Sequence, residues 1–158
     1  MDRENSTGSI PAIRMRSYGG PDVMRWEELP MPMGGAGQVL IPVEAASVNL
    51  LDGQKRRGEL VGQAFYRRGR ANRPDLPATL GSQGVGVVEK LGTAVKNVGL
   101  GDRVVFAGDP YATHALAPAA WLSAVPDGIS VEQAAAGMNQ GFLGYAFTHF
   151  AYPIKPGD

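Results

Sequence analysis

The chain has 158 residues, 44% of them hydrophobic and 19% charged, which suits one soluble domain with a real core rather than a disordered chain. Fifteen basic and fifteen acidic side chains cancel, so the totals give no reason to expect nucleic acid or a membrane as partner. There is no cysteine and only two histidines, His114 and His149, which removes disulfides, thiolate nucleophiles and cysteine-held metal, and argues against a histidine-rich metal site.

Residues 1–9, MDRENSTGS, are polar and are expected to form a flexible N-terminus, and the first thirty residues show no signal-peptide pattern. IPAIRMRSY (10–18) alternates apolar and polar positions, the period of a half-buried strand. GGPDV is turn chemistry, MRWEEL reads as the partner strand, and PMPMGGAG (30–37) as a loop. QVLIPVEAASVN (38–49) predicts a strong strand, which Pro42 marks as edge-like or bulged. A helical turn should run from Asn49, a good N-cap, to about Arg57, with Gly58 ending it.

Residues 61–80 read as a long loop. Lys55, Arg56, Arg57, Arg67, Arg68, Arg70 and Arg73 put seven of the fifteen cations into nineteen residues, with Glu59 the one acid among them. Such a segment is either a solvated arginine-rich loop or one that binds a phosphate or an acyl carrier. GSQGVGVVEKLG (81–92), GDRVVFAG (101–108) and YATHALAPAAWLSAVP (111–126) predict strands punctuated by glycines where bends or close packing belong. Ser130 and Gln133 form a capping box that opens a helix over about 131–150. The 22 residues from Gln133 to Ile154 carry no charge, but Asn139, Gln140, Thr148, His149, three glycines and Pro153 make them too polar for lipid, so a mostly buried helix of a soluble protein is expected.

Short strands with one short and one C-terminal helix, and no strand–helix–strand alternation, give a mainly β (α+β) domain, better closed as a small barrel than left as an open sheet. GSQGVG (81–86) is not a dinucleotide fingerprint, because its glycines fall at positions one, four and six and a β run follows. No phosphate-binding G-x-x-x-x-G-K loop and no G-x-S-x-G elbow is present. Tyr66, Tyr111, Tyr145 and Tyr152 are candidate proton donors, against the ordinary alternative of core tyrosines with satisfied hydroxyls.

Three stretches, YGGPDVMRWEELPMPMGGAGQVLIPVEAASVNLLD, LGSQGVGVVEKLGTAVKNVGLGDRVVFAG and VPDGISVEQAAAGMNQGFLGYAFTHFAYPIKPGD, together resemble the zinc-independent quinone oxidoreductases. That group includes zeta-crystallin and the enoyl reductases of polyketide synthases, within the medium-chain dehydrogenase/reductase superfamily. The resemblance covers about residues 12–158 and implies a GroES-like β-barrel catalytic domain over 10–158, with the short helix near 49–57 and the C-terminal helix near 131–150. Where zinc relatives place a cysteine and a histidine, this chain reads VNLLDG and GSQG, so no catalytic zinc is expected.

The family's nucleotide-binding (Rossmann) half would begin after a stretch like IKPGD, and it is expected to be missing here. The chain would then be an excised domain, one half of a split reductase, or a natural stand-alone barrel.

Residue by residue, Asn49 and Asp52 match the family's V-N-x-x-D, which lines the cleft near the nicotinamide. Gln54 and Leu60 stand where tyrosines are usual, Gln83 replaces the usual acid of G-S-E-G, and Gln140 begins the stretch matching Q-G-L-T-A-Y, with Leu143 in place of its threonine. The resemblance implies hydride transfer from NADPH to a quinone or α,β-unsaturated carbonyl once a nucleotide-binding half is supplied in cis or in trans. Asn49 and Gln140 would bound the cofactor, and Asp52, Gln54, Tyr66 and Tyr145 would be the catalytic candidates. Arg67, Arg68 and Arg70 would meet substrate or an acyl carrier.

Two alternatives stand beside this expectation. One is a cofactor-free isomerase or cyclase of a biosynthetic pathway, with Asp52 as acid or base. The other is a non-catalytic binding or dimerising module, in which the barrel without its usual neighbour would expose an apolar face around the 131–150 helix to a second copy or a partner. A cytoplasmic homo-oligomer is the expected setting.

Overall fold

The computed structural model describes residues 8–59, 74–155 and 157. Its strands follow the alternation of the sequence. β1 (Ser9–Met15) buries Ile10, Ala12 and Met15 and pairs antiparallel with β2 (Met24–Pro30), from Ser9 opposite Pro30 to Met15 opposite Met24. β1 begins inside the segment expected to be flexible, while residues 1–7 lie outside the described residues.

β3 (Gln38–Ala46) pairs with β5 (Gln83–Val87), β6 (Lys90–Leu91) and β8 (His114–Pro118), all antiparallel. Its register on β5 shifts between Val43 and Ala45, directly after Pro42, so the expected bulge is present. β5 then pairs with β7 (Arg103–Ala107), and β7 with β9 (Leu122–Ala124).

Backbone bonds join the two sheets through residues 111–113. Ile13 N–H donates to the Tyr111 carbonyl (2.7 Å), Thr113 N–H to Pro11, and Val43 N–H to Thr113. The short β4 (Ala78–Thr79) pairs with the end of β1. The described ladders thus form two sheets, ordered β2-β1-β4 and β6-β3-β5-β7-β9 with β8 paired to β3, and do not by themselves close a ring. Val39, Ile41, Val104 and Phe106, each 0% exposed, pack beneath the sheet with Val88 and Leu122. Burial of such side chains at about 25 cal/mol per Å² is what holds a barrel of this size together.

The glycine run predicted for close packing does that work. A Cβ on Gly86 would lie 2.0 Å from the Pro42 carbonyl oxygen, and one on Gly81 would lie 2.3 Å from the Pro110 ring. α1 (Leu50–Arg57) ends at Gly58 in the left-handed conformation, φ 70°, which glycine adopts without a steric penalty.

α2 (Val131–Ala146) starts on the expected capping box. Ser130 N–H donates to the Gln133 side chain, and Gln133 N–H to the Ser130 hydroxyl. The rest of this segment departs from expectation. The α-helix stops at Ala146, one π-helical turn follows (Phe147–Ala151), and only Ala134 and Ala135 of α2 are buried. Phe142, Tyr145, Phe147, Phe150 and Tyr152 are all more than half exposed. The uncharged run was expected to mark a buried helix, yet it records only that this face avoids water, not what covers it. Among the described residues no helix is long and apolar enough to cross a membrane.

Candidate functional site

Where β3 leaves the sheet, the start of α1, the start of β5 and the middle of α2 converge. Asn49 holds the N-cap position in extended conformation (φ −116°, ψ 159°), and the Asp52 carboxylate accepts from its backbone N–H at 2.8 Å. The Asn49 carboxamide forms its bonds elsewhere. Its nitrogen donates to the hydroxyls of Ser47 (2.9 Å) and Ser82 (3.0 Å), and its oxygen accepts from the Gln140 side chain at 3.1 Å. Residues 91 apart in sequence thus meet through one amide.

Asp52 is 4% exposed. Its Oδ2 also accepts from the Tyr111 hydroxyl at 3.0 Å, and Oδ1 is buried without a hydrogen-bond partner among the described residues. The Tyr111 phenol is pushed above its ordinary range, first by burial and then by the adjacent charge and hydrogen bond of Asp52. It therefore stays protonated and acts as a fixed donor.

Gln83, 1% exposed, donates to the Ala135 carbonyl (2.7 Å) and accepts from Asn139 N–H (3.2 Å), tying β5 to α2. Around the corner, Lys55 donates to the Gly81 carbonyl at 2.8 Å and lies 3.7 Å from Asp109. Arg56 donates to the Gly19 carbonyl, and Arg57 pairs with Glu59. All three cations of α1 are thus engaged within the chain.

Of the residues singled out in the sequence, Asn49, Asp52 and Gln140 come together directly. Gln54 is half-buried on the same helix. Tyr145 is 55% exposed on the later part of α2, stacked on His149 (centroids 3.9 Å apart) and edge-on to Phe150. Tyr66, Arg67, Arg68 and Arg70 lie outside the described residues. The sequence reading did not foresee the roles of Ser47, Ser82 or Tyr111 in this network. Tyr111 sits 59 positions from Asp52, and no local pattern links such a pair. Among the described residues no cluster of three His, Asp or Glu side chains could hold a metal ion. A depression of about 550 Å³, lined in part by Leu29, Pro77, Leu116 and Trp121, lies apart from this network, and none of Asn49, Asp52 or Gln140 lines it.

The chain thus forms a mainly β domain with a polar corner beneath an exposed helical face. Residues 35–127 match the alcohol dehydrogenase GroES-like domain, and the chain belongs to that family.

A quinone oxidoreductase of Pseudomonas aeruginosa is 33% identical over 150 residues, which cover 92% of this chain and 42% of that protein. A mycobacterial structure complexed with NADPH is 36% identical with a TM-score of 0.80, covering 95% of this chain and 43% of its own. The Escherichia coli quinone oxidoreductase complexed with NADPH is 29% identical with a TM-score of 0.78, covering 94% of this chain and 43% of its own. The chain therefore spans less than half the length of the relatives it matches.

Proposed function

We propose that this chain is the substrate-side half of an NADPH-dependent reductase acting on a quinone or an α,β-unsaturated carbonyl, with a nucleotide-binding half supplied in cis or in trans. The observation that carries this reading is the Asn49–Gln140 contact, which joins the start of α1 to α2 beside an apolar face left exposed. Neutral amides next to apolar surface suit an uncharged nicotinamide ring and its carboxamide. The α1 cations, being engaged within the chain, do not offer a site for its phosphates. Those phosphates would be held by the other half. Such a cleft has two walls, which accounts for its not being a cavity in one wall alone.

NADPH, when bound, supplies the hydride. Asn49 and Gln140 then orient the ring through their amides, and the Gln140 oxygen is available to accept from a carboxamide. Asp52 serves as the anchor of Asn49 rather than as an acid or base, since its carboxylate is buried and already takes two donors. Gln54 is the proposed donor to the substrate carbonyl, where charge develops as hydride arrives. Tyr66 and Tyr145 remain the proposed proton sources, and Arg67, Arg68 and Arg70 the proposed substrate contacts. The cytoplasm is the proposed setting.

The test mixes the chain with the nucleotide-binding half of the E. coli relative and follows NADPH absorbance with a benzoquinone as acceptor. Turnover is expected only with both halves present. No turnover even when the two halves are covalently joined would overturn the reading.

A further inference from the structure

We infer that Gln83 is a positioning residue whose neutral carboxamide splints α2 onto β5 and so holds Gln140 against Asn49. The inference rests on the proposed reading of Asn49 and Gln140 as cleft residues, and it concerns what sets their distance. The two backbone groups that Gln83 engages, the Ala135 carbonyl and the Asn139 N–H, are four residues apart on α2. They are the acceptor and donor of one helical hydrogen-bond pair. A side chain placed at such a pair fixes both the rotation and the distance of the helix at that turn.

The chemistry required of that side chain is narrow. One end must donate to a carbonyl and the other must accept from an N–H, at a site 1% exposed. A carboxamide does both. A carboxylate can only accept, so it would face the Ala135 carbonyl with like partial charge and no proton between them. A protonated carboxyl group could again do both. The residue following Asn139 is Gln140, so the turn fixed by Gln83 is the turn that delivers the amide to Asn49. Nearby packing supports the placement without replacing it. Val85 of β5 packs on Ala134 and Ala135, small residues that set no particular rotation.

The inference requires a pH dependence that the wild type lacks. In Gln83→Glu the introduced carboxyl group, once buried, holds its proton to well above the ordinary carboxylate range. Its folded-state pKa is raised above the unfolded value. The native contact is therefore kept at low pH and lost as pH rises through the folded value.

The experiment uses the isotope-labelled isolated chain and needs no cofactor. It follows exchange protection of the Asn139 amide, corrected for intrinsic rates, and the side-chain amide signals of Asn49 and Gln140, from pH 5 to pH 8. Wild type should stay flat. Gln83→Glu should match it near pH 5 and lose roughly tenfold in Asn139 protection by pH 8, the size of one lost hydrogen bond and its desolvation. The Asn49 and Gln140 signals should move with it.

Gln83→Met, similar in size but without the donor or the acceptor, should show the loss at every pH. Should Gln83→Glu unfold outright at neutral pH, recovery of both signals on acidification is the same prediction. Absence of recovery overturns the inference, as does a Met variant that keeps the Asn49–Gln140 contact. A negative result with benzoquinone turnover would leave these signals unchanged, so the two readings fail separately.

Discussion

The corner around Asp52 and the far half of α2 are built on opposite terms. At the corner, Asp52 is 4% exposed and Gln83 1%, and the side chains of Asp52, Gln83 and Asn49 each bond to a residue more than thirty positions away. From Phe142 onward α2 and the π-helical turn after it carry aromatic rings at 55% to 77% exposure, and the polar bonds there are local. Thr148 donates back to the Gly144 carbonyl, and His149 contacts the Tyr145 carbonyl. The contrast teaches that the barrel is finished on its own account and the helical face is not. Contiguous exposed aromatic surface is the usual mark of an interaction site.

Substitutions can break or sharpen that contrast. Phe106→Ala empties a fully buried position under the sheet and should cost about 3–5 kcal/mol, read from the urea midpoint. Tyr111→Phe leaves Asp52 Oδ2 short of one donor and should cost about 1–3 kcal/mol at neutral pH. Because the phenol's folded pKa is raised from its ordinary value of 10.0, its contribution is fully present below pH 10 and declines as pH rises beyond it. The stability gap between wild type and Tyr111→Phe should therefore narrow in alkali. A gap that widens above pH 10 would remove the Tyr111–Asp52 bond from the account. Smallest of all, Phe142→Ser with Phe150→Ser should alter the stability of the isolated chain by less than about 0.5 kcal/mol each. The same pair should lower its binding of a hydrophobic dye. A large destabilisation would mean that the α2 face is already covered within the chain.

Local rules made much of the fold legible. Alternation located β1, the turn chemistry after it placed β2 as its partner, the Asn49 and Gly58 signals bounded α1, and Ser130 with Gln133 started α2 at the right residue. What remained hidden was non-local. Tyr111 reaches Asp52, and Gln83 reaches α2, through a sheet order that no short window encodes. Asn49 was legible as a cap, yet its side chain turns to Ser47, Ser82 and Gln140. For the 131–150 helix the expectation of burial did not hold while that of an exposed apolar face did, since lack of charge reports aversion to water and not whether anything covers the surface. Within the candidate site, the resemblance brought forward Asn49, Asp52 and Gln140, which do meet. Tyr145, placed on the same helix as Gln140, stacks on His149 instead.

The central claim is that the Asn49–Gln140 corner and the α2 face together form one wall of a cofactor cleft. The most direct measurement follows the side-chain amide signals of Asn49 and Gln140 and the rings of Phe142 and Phe150. They are recorded for the chain alone, with NADPH, with a relative's nucleotide-binding half, and with both. The account predicts little change with NADPH alone, movement of the aromatic signals when the second half is added, and movement of the Asn49 and Gln140 amides when NADPH joins them. Saturable NADPH binding to the isolated chain away from these residues, or a bound second half that leaves the α2 rings untouched, would contradict it.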